Sequence, residues 1–216
     1  MKFENEYKEL VKQFWSVGPL GKLVLVLLFF LSVSSITSLS DVVFKWKGFI
    51  LGAINIYQEY FVFSLTKIAL YLNMSYSESE INTAVFMSIS VSVGMRMLMV
   101  GQKVAFKKIN ERYNSDLVPS LTVYKVIMWF FPIAIWLWYG VTVQTPKFWF
   151  TALVFVFYPV FLVVPKVLMS KFDSENESYW EKGEFNYFKV YYSYVGAIIL
   201  FVCVLGAINA GITRTA

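Results

Sequence analysis

The chain has 216 residues, of which 58% are hydrophobic, 19% aromatic and only 15% charged, and its net charge is +5. Soluble domains carry about 25% charged residues, so this composition and the mean hydropathy of +0.60 indicate a helical membrane protein. The single cysteine excludes an intrachain disulfide, and the absence of histidine excludes Ser-His-Asp catalysis and His-ligated zinc or haem. A small basic excess is typical of orientation signals in membrane proteins, so we expect no direct nucleic-acid contact.

The first predicted element is an amphipathic helix over residues 1–16, at the cytoplasmic interface. Apolar residues recur there every three to four positions, with lysine and glutamate between them. Gly18 and Pro19 end this helix. We treat residues 17–216 as a single helical transmembrane domain.

The fold class expected from the apolar runs is an all-α, polytopic integral membrane protein with about five transmembrane helices and further interfacial helices. A span needs roughly 20 residues to cross about 30 Å of hydrocarbon. A short turn at residues 144–147 pairs the third and fourth runs as an antiparallel hairpin. The five predicted spans are residues 20–39, 83–101, 121–143, 148–165 and 190–212.

Residues 42–72 are apolar but interrupted by charged and amide side chains. We predict an interfacial helix, or a half-span that dips into the bilayer. Its polar side either faces water and headgroups or faces other helices, in which case Asn55 and Glu59 form a buried polar face. Its apolar stripe is predicted at Val43, Trp46, Ile50, Ile54, Tyr57, Phe61, Leu65, Ile68 and Leu72.

Basic segments predict the orientation of the spans. Lysines and arginines concentrate at the N-terminus, in the segment 103–112 and in the loop after Pro165. Five spans place all three segments on one side, which the positive-inside rule assigns to the cytoplasm. A sixth span at residues 42–64 would place the N-terminus and the segment 103–112 on opposite sides. We therefore expect a multi-pass inner-membrane protein with a cytoplasmic N-terminus.

The second span carries an arginine, Arg96. Ala84, Ser88 and Ser92 precede it at intervals of four residues and therefore lie on the same face of the helix. Charged residues inside spans are costly and usually face a protein interior or a water-filled cavity. This face is therefore either a pore lining in an oligomer, or a packing face whose arginine extends to the inner interface.

The last span carries small residues four positions apart: Cys203, Ala207 and Gly211. Such spacing allows two membrane helices to approach closely. The contact is either within one subunit or between subunits, and it is our candidate oligomer contact.

Two cytoplasmic segments have opposite charge. Residues 103–112 form a basic loop and residues 173–184 an acidic one. They either pair with each other, face solvent, or dock a soluble protein. The candidate docking residues are Lys107, Lys108, Arg112, Asp173, Glu175 and Glu177.

The stretches LSDVVFKWKGFI (39–50) and INIYQEYF (54–61) resemble segments of small membrane proteins from bacterial anti-phage defence loci. Examples are the membrane subunit of the Kiwa system and the membrane effectors of retron or cyclic-nucleotide systems. The resemblance covers residues 20–62. It implies either a homo-oligomeric membrane scaffold that senses envelope disturbance and holds a cytosolic effector, or an effector that permeabilises the inner membrane.

The sequence contains no phosphate-binding loop, paired carboxylate motif or metal-ligand cluster. We therefore expect a protein without enzymatic activity, cofactor or metal. Its expected partners are the lipid bilayer, further copies of itself and a cytosolic protein. The first hypothesis is a sensor or scaffold that docks a cytosolic effector; the alternative is a pore-forming effector or ion channel that depolarises the membrane.

Overall fold

The computed structural model describes residues 12, 16, 18–114, 116, 123–143, 145, 147–158, 160 and 187–214. These residues form helices and connecting turns, without strands, which confirms the all-α prediction. Apart from Lys12 and Ser16, the predicted helix at residues 1–16 lies outside the described residues. The elements are α1 Pro19–Leu39, α2 Asp41–Phe44, α3 Gly48–Tyr57, a π-helical turn Gln58–Val62, α4 Phe63–Tyr71, α5 Glu78–Tyr113, α6 Val123–Thr142, α7 Phe148–Val156 and α8 Tyr187–Arg214.

Two of the described helices are long and apolar enough to cross a membrane: α1, and residues Tyr191–Gly211 of α8. Only 22% of each of these stretches is buried within the chain. Large apolar side chains are widely exposed elsewhere, including Trp149 on α7 at 80%. Such extensive apolar exposure is unusual for a soluble monomer and typical of a surface that lipid or another protein covers. By length and composition, these two helices support membrane association.

The helices alternate in direction, and their contacts show it. Near the end of α1, Ser38 accepts a hydrogen bond from Asn82 at the start of α5. The Ser75 amide, just before α5, donates to the Gly140 carbonyl near the end of α6 at 2.7 Å. At the start of α7, Thr151 contacts Glu80 of α5. The ends of α1 and α6 therefore lie beside the starts of α5 and α7, as successive antiparallel helices require.

The central helix of this arrangement is α5, which packs against α1, α7 and α8. One buried cluster joins α5 to α7 and α8 through Ala84, Val91, Phe155 and Tyr191. A second cluster joins α3 to α8, and a third joins the π-helical turn to α5. Each cluster therefore joins helices that are distant in sequence.

The segment predicted as one helix over residues 42–72 is interrupted twice. Residues 45–47 are not helical, and Gln58–Val62 form a π-helical turn between α3 and α4. A π turn inserts one residue into the helical repeat. Trp46, Ile50, Ile54 and Tyr57 are buried as the stripe predicts, but beyond the turn the buried face moves by one position. Phe61 is therefore only partly buried and Leu65 exposed, while Val62 and Ala69 are buried.

The break at residues 45–47 is held by contacts with two other helices, α1 and α8. Lys45 and Gly48 both have positive φ angles, +47° and +59°. The buried Trp46 indole donates to the Thr37 carbonyl of α1 at 2.8 Å. Asn209 of α8 binds both sides of the break: its Nδ2 donates to the Phe44 carbonyl at 3.0 Å, and its Oδ1 accepts from the Lys47 amide at 3.1 Å. The backbone groups that the break releases are thus satisfied by protein.

Residues 103–112, predicted to be a loop, form the last part of α5. No glycine or proline interrupts the helix after Gly101, and it ends at Asn114, whose φ of +49° is the left-handed conformation of a C-terminal cap. Thirty-six residues make a helix about 54 Å long at 1.5 Å per residue. The helix is therefore much longer than a single span requires.

We expect Asn209→Ala to destabilise the fold because it removes both hydrogen bonds across the break and leaves Phe44 and Lys47 backbone groups without their partner. The expected loss is about 1–3 kcal/mol of unfolding free energy. Denaturant unfolding in detergent, followed by tryptophan fluorescence, measures it. The matched control is Asn55→Ala, since Asn55 is exposed; equal effects of the two substitutions would contradict the role of Asn209.

Candidate functional site

The predicted face on α5 is divided by the fold. Ala84 is buried in the core, whereas Ser88 and Ser92 are exposed. The Ser92 hydroxyl donates to the Ser88 carbonyl at 2.8 Å, so this polar group is satisfied within its own helix. Arg96 lies in α5, but its side chain is outside the described residues. Only the two serines therefore offer a described polar surface to a neighbour.

The candidate polar face at Asn55 and Glu59 is exposed in the single chain. The buried side of α3 carries Ile50 and Ile54 instead. A buried role for Asn55 and Glu59 therefore requires a second molecule.

The small residues of α8 lie on its exposed face. Cys203, Ala207 and Gly211 are all exposed, whereas the adjacent face, with Gly206 and Asn209, is buried. A Cβ atom on Gly206 would lie 2.4 Å from the Phe44 ring, so glycine is required for the contact of α8 with α2. Within the chain, α8 thus packs through the face that carries Gly206. Contact between copies through the face that carries Cys203 remains a prediction.

The charged docking candidates are only partly described. Lys107 and Glu111 form an ion pair of 3.8 Å, with side chains 68% and 65% exposed, and Arg112 is exposed as well. An ion pair this exposed contributes little to stability. The side chain of Lys108 lies outside the described residues, as do Asp173, Glu175 and Glu177.

Among the residues that the structure describes, the most deeply buried acidic side chain is one that the sequence patterns above did not identify. Glu80 has no exposed surface. It forms a capping box with Ser77: the Glu80 amide donates to the Ser77 hydroxyl at 3.3 Å, and the Glu80 carboxylate accepts from the Ser77 amide at 3.0 Å. The spacing Ser-x-x-Glu before an apolar run is a known signal for such a helix start. It marks the position of Glu80, but not its burial.

The remaining carboxylate oxygen of Glu80 connects α5 to the hairpin of α6 and α7. The Thr151 hydroxyl donates to Glu80 Oε1 at 3.1 Å and accepts from the Trp136 indole at 2.9 Å. Ser77, Glu80, Thr151, Trp136 and Tyr76 make up what we call the Glu80 network. A buried carboxylate with hydrogen bonds to both oxygens is far less costly than one without partners.

Tyr76 completes this network from the turn before α5. Its ring stacks on Trp136 at 4.3 Å, and its hydroxyl donates to the Trp136 carbonyl at 2.9 Å. Burial, with a smaller contribution from the Glu80 charge, raises the pKa of Tyr76 to about 12. The phenol therefore remains protonated and able to donate this bond over the physiological pH range.

A second polar cluster lies where α1, the π-helical turn and α5 meet. The Ser38 hydroxyl oxygen of α1 accepts from the Gln58 amide at 3.0 Å and from the Asn82 amide at 3.2 Å. Tyr57 and Ser35 lie beside them. We call Ser35, Ser38, Tyr57, Gln58 and Asn82 the Ser38 junction. Serines that end the first predicted span are thus buried contacts between helices.

These two clusters hold helices in position. Glu80 is bound by hydroxyls and a backbone amide, which hold the carboxylate in place. Within the part of the chain that the structure describes, no three His, Cys, Asp or Glu side chains are grouped so as to hold a metal ion. What the clusters do is set the relative positions of five helices at one end of the protein.

Glu80→Ala should lower the unfolding free energy by about 1–3 kcal/mol, because the Ser77 amide and the Thr151 hydroxyl lose their acceptor. Glu80→Gln, which keeps one acceptor oxygen, should cost less. The control is Glu78→Ala in the same first turn: Glu78 is exposed, and its loss should cost at most about 1 kcal/mol through the helix dipole. Unfolding in detergent gives all three values, and a Glu80 effect no larger than that of Glu78 would refute the network's role.

Comparison of the chain with protein-family models, with curated proteins and with solved structures finds no match. The helix directions, the two polar clusters and the charged end of α5 are therefore the basis for a functional proposal.

Proposed function

We propose that this chain is a non-enzymatic, homo-oligomeric scaffold of the bacterial inner membrane that docks a cytosolic effector. It crosses the membrane five times, with its N-terminus in the cytoplasm. The observation that carries the proposal is the length of α5, which extends from the buried polar clusters to an exposed, charged end.

The length of α5 exceeds the bilayer. Hydrocarbon about 30 Å thick accommodates roughly 20 residues, so a span that begins near Ile81 ends near Val100. Residues 101–113 then project about 20 Å beyond it as a continuous helix. A projecting helix is a rigid surface for a partner, whereas a loop would have to be ordered on binding.

The charges of the projecting segment support its cytoplasmic location and its role. Lys103, Lys107, Lys108 and Arg112 outnumber the single acid, Glu111, in this segment. Their basic excess agrees with the positive-inside rule. A cytosolic partner with an acidic surface would be attracted to this end and oriented on it.

The helix directions support a count of five spans. The starts of α5 and α7 and the ends of α1 and α6 lie at the end of the protein that carries the two polar clusters. If α1, α5, α6, α7 and α8 all cross, the segment after Tyr113 and the N-terminus share the opposite side. α3 and α4 then lie at the outer interface. Trp46 and Gln58 are twelve positions apart, yet they contact adjacent residues of α1: Trp46 contacts Thr37, and Gln58 contacts Ser38. Such contacts are expected of a helix that lies across α1.

Two further features support the scaffold proposal. The exposed Cys203, Ala207 and Gly211 leave room for close contact with a second copy of α8. The resemblance of residues 20–62 to membrane proteins of anti-phage loci supports antiviral defence as the setting.

Reversing the exposed charges at the end of α5, in the double substitution Lys107→Glu and Arg112→Glu, should abolish co-purification of the cytosolic partner. The reason is electrostatic repulsion at the docking surface. The measurement is a mild-detergent pull-down of the tagged chain from its host, with mass spectrometry of what is bound.

The matched control for this experiment is Lys147→Glu, because Lys147 is an exposed lysine at the opposite end of the helices. Membrane insertion and oligomer size are measured for every variant. An unchanged partner yield from the double variant, or an equal loss from the control, would rule out docking on this helix.

The second candidate function is a pore, and it rests on the exposed serines of α5. Ser88 and Ser92 face away from the chain's own core in an otherwise apolar stretch, where a ring of copies would bring them together. With Arg96 one turn further along, they would form a polar path for ions.

A pore predicts that Ser88→Leu with Ser92→Leu lowers single-channel conductance in planar bilayers, and that Arg96→Ala alters ion selectivity. Leucine at these exposed positions keeps the chain's own packing but makes the path apolar. The control is Ser64→Leu, on the exposed surface of α4. Absence of conductance from the purified oligomer would remove this candidate and leave the scaffold.

A further inference from the structure

We propose that the Ser38 junction binds water: a small neutral molecule that both donates and accepts hydrogen bonds, held among α1, the π-helical turn and α5. The proposal is independent of the docking role of α5. It rests on two buried polar atoms that have no hydrogen-bond partner among the residues that the structure describes, Asn82 Oδ1 and Tyr57 Oη.

The Asn82 side chain is only half satisfied. Asn82 is 3% exposed, and its Nδ2 donates to Ser38 Oγ while its Oδ1 has no donor. Rotating the amide by 180° would exchange the two atoms and leave a buried N–H unpartnered instead. Ser38 does not resolve this, because it contacts only one of the two polar amide atoms of Asn82 and the other has no partner. In either orientation, Asn82 requires one more partner.

The Tyr57 hydroxyl lacks an acceptor, whereas Asn82 Oδ1 lacks a donor. Tyr57 has no exposed surface, yet its hydroxyl has no partner of normal geometry. Ser35 lies beside it, but the Ser35 hydroxyl, which donates to the Ser32 carbonyl at 3.0 Å, is not within hydrogen-bonding geometry of the Tyr57 hydroxyl. Tyr57 can therefore donate to a new acceptor, and Asn82 Oδ1 can accept from a new donor.

Both unpartnered atoms lie beside the same turn of α1. Ser35 lies next to Tyr57. Ser38, three positions later, binds Asn82 and Gln58. Leaving a buried polar group unpaired costs about 1–3 kcal/mol, and buried water typically makes about three hydrogen bonds to such groups. Water satisfies the acceptor and the donor together, whereas a cation would leave the Tyr57 hydroxyl proton unpaired.

The first test is X-ray radiolytic footprinting of the full chain in detergent. Hydroxyl radicals formed from bound water oxidise adjacent side chains even where bulk solvent is excluded. Tyr57 should be oxidised several-fold faster than Tyr191, which is equally buried but donates to the Phe155 carbonyl at 2.7 Å. Equal, slow oxidation of the two tyrosines would overturn the proposal.

The second test uses Tyr57→Phe, which removes one atom and leaves the packing intact, and Asn82→Leu, which removes the amide. With bound water, both should lower the unfolding temperature, and Asn82→Leu should slow oxidation of Tyr57. In a dry junction, Tyr57→Phe should be neutral or stabilising, because it removes an unpaired buried group; that result would overturn the proposal. Tyr60→Phe, 65% exposed, is the control and should have no effect.

A third measurement separates water from a bound cation. Unfolding temperatures are compared in sodium, potassium and choline chloride at equal ionic strength. Equal values support water. A stabilisation specific to one metal cation, and lost in Asn82→Leu, would overturn the proposal in favour of a cation site.

Discussion

The reciprocal hydrogen bonds between Ser77 and Glu80 determine where α5 begins, and the other helices are arranged around α5. Because the same carboxylate also accepts from Thr151, the cap of one helix is a contact to the next hairpin. Tyr76 extends this contact to Trp136 by stacking and by a hydrogen bond. A change in the angle of α5 at this end would therefore disturb α6 and α7 together.

The other end of α5 presents exposed charged side chains. Lys107, Glu111 and Arg112 are exposed, and the ion pair between the first two is weak. One helix thus joins a buried polar cluster to a charged surface that is open to a partner. A rigid helix would transmit a displacement at the clusters directly to that surface, as the proposed scaffold would require.

The irregular segments follow one physical rule. The break at residues 45–47 is stabilised by Asn209 and Trp46, because backbone groups away from water must find protein partners. The π-helical turn brings Gln58 to Ser38, at the cost of shifting the buried face of α4 by one residue. Tyr57 and Asn82, at the same junction, keep one unpaired polar atom each. Buried polar groups are otherwise paired throughout most folded proteins, which is why these two mark a binding site.

Composition and apolar periodicity determined the all-α class, the approximate positions of α1, α5, α6 and α8, and the buried stripe from Trp46 to Tyr57. These are local properties, since helical spacing and hydropathy are read directly from neighbouring residues. Tertiary structure decided the rest. The burial of Glu80, the pairing of Asn209 with the break and the sharing of Ser38 by Gln58 and Asn82 each depend on residues far apart in sequence. The π-helical turn likewise depends on contacts with α1 and α5, so the one-residue shift of the buried face, from Ile68 to Ala69, has no local signal.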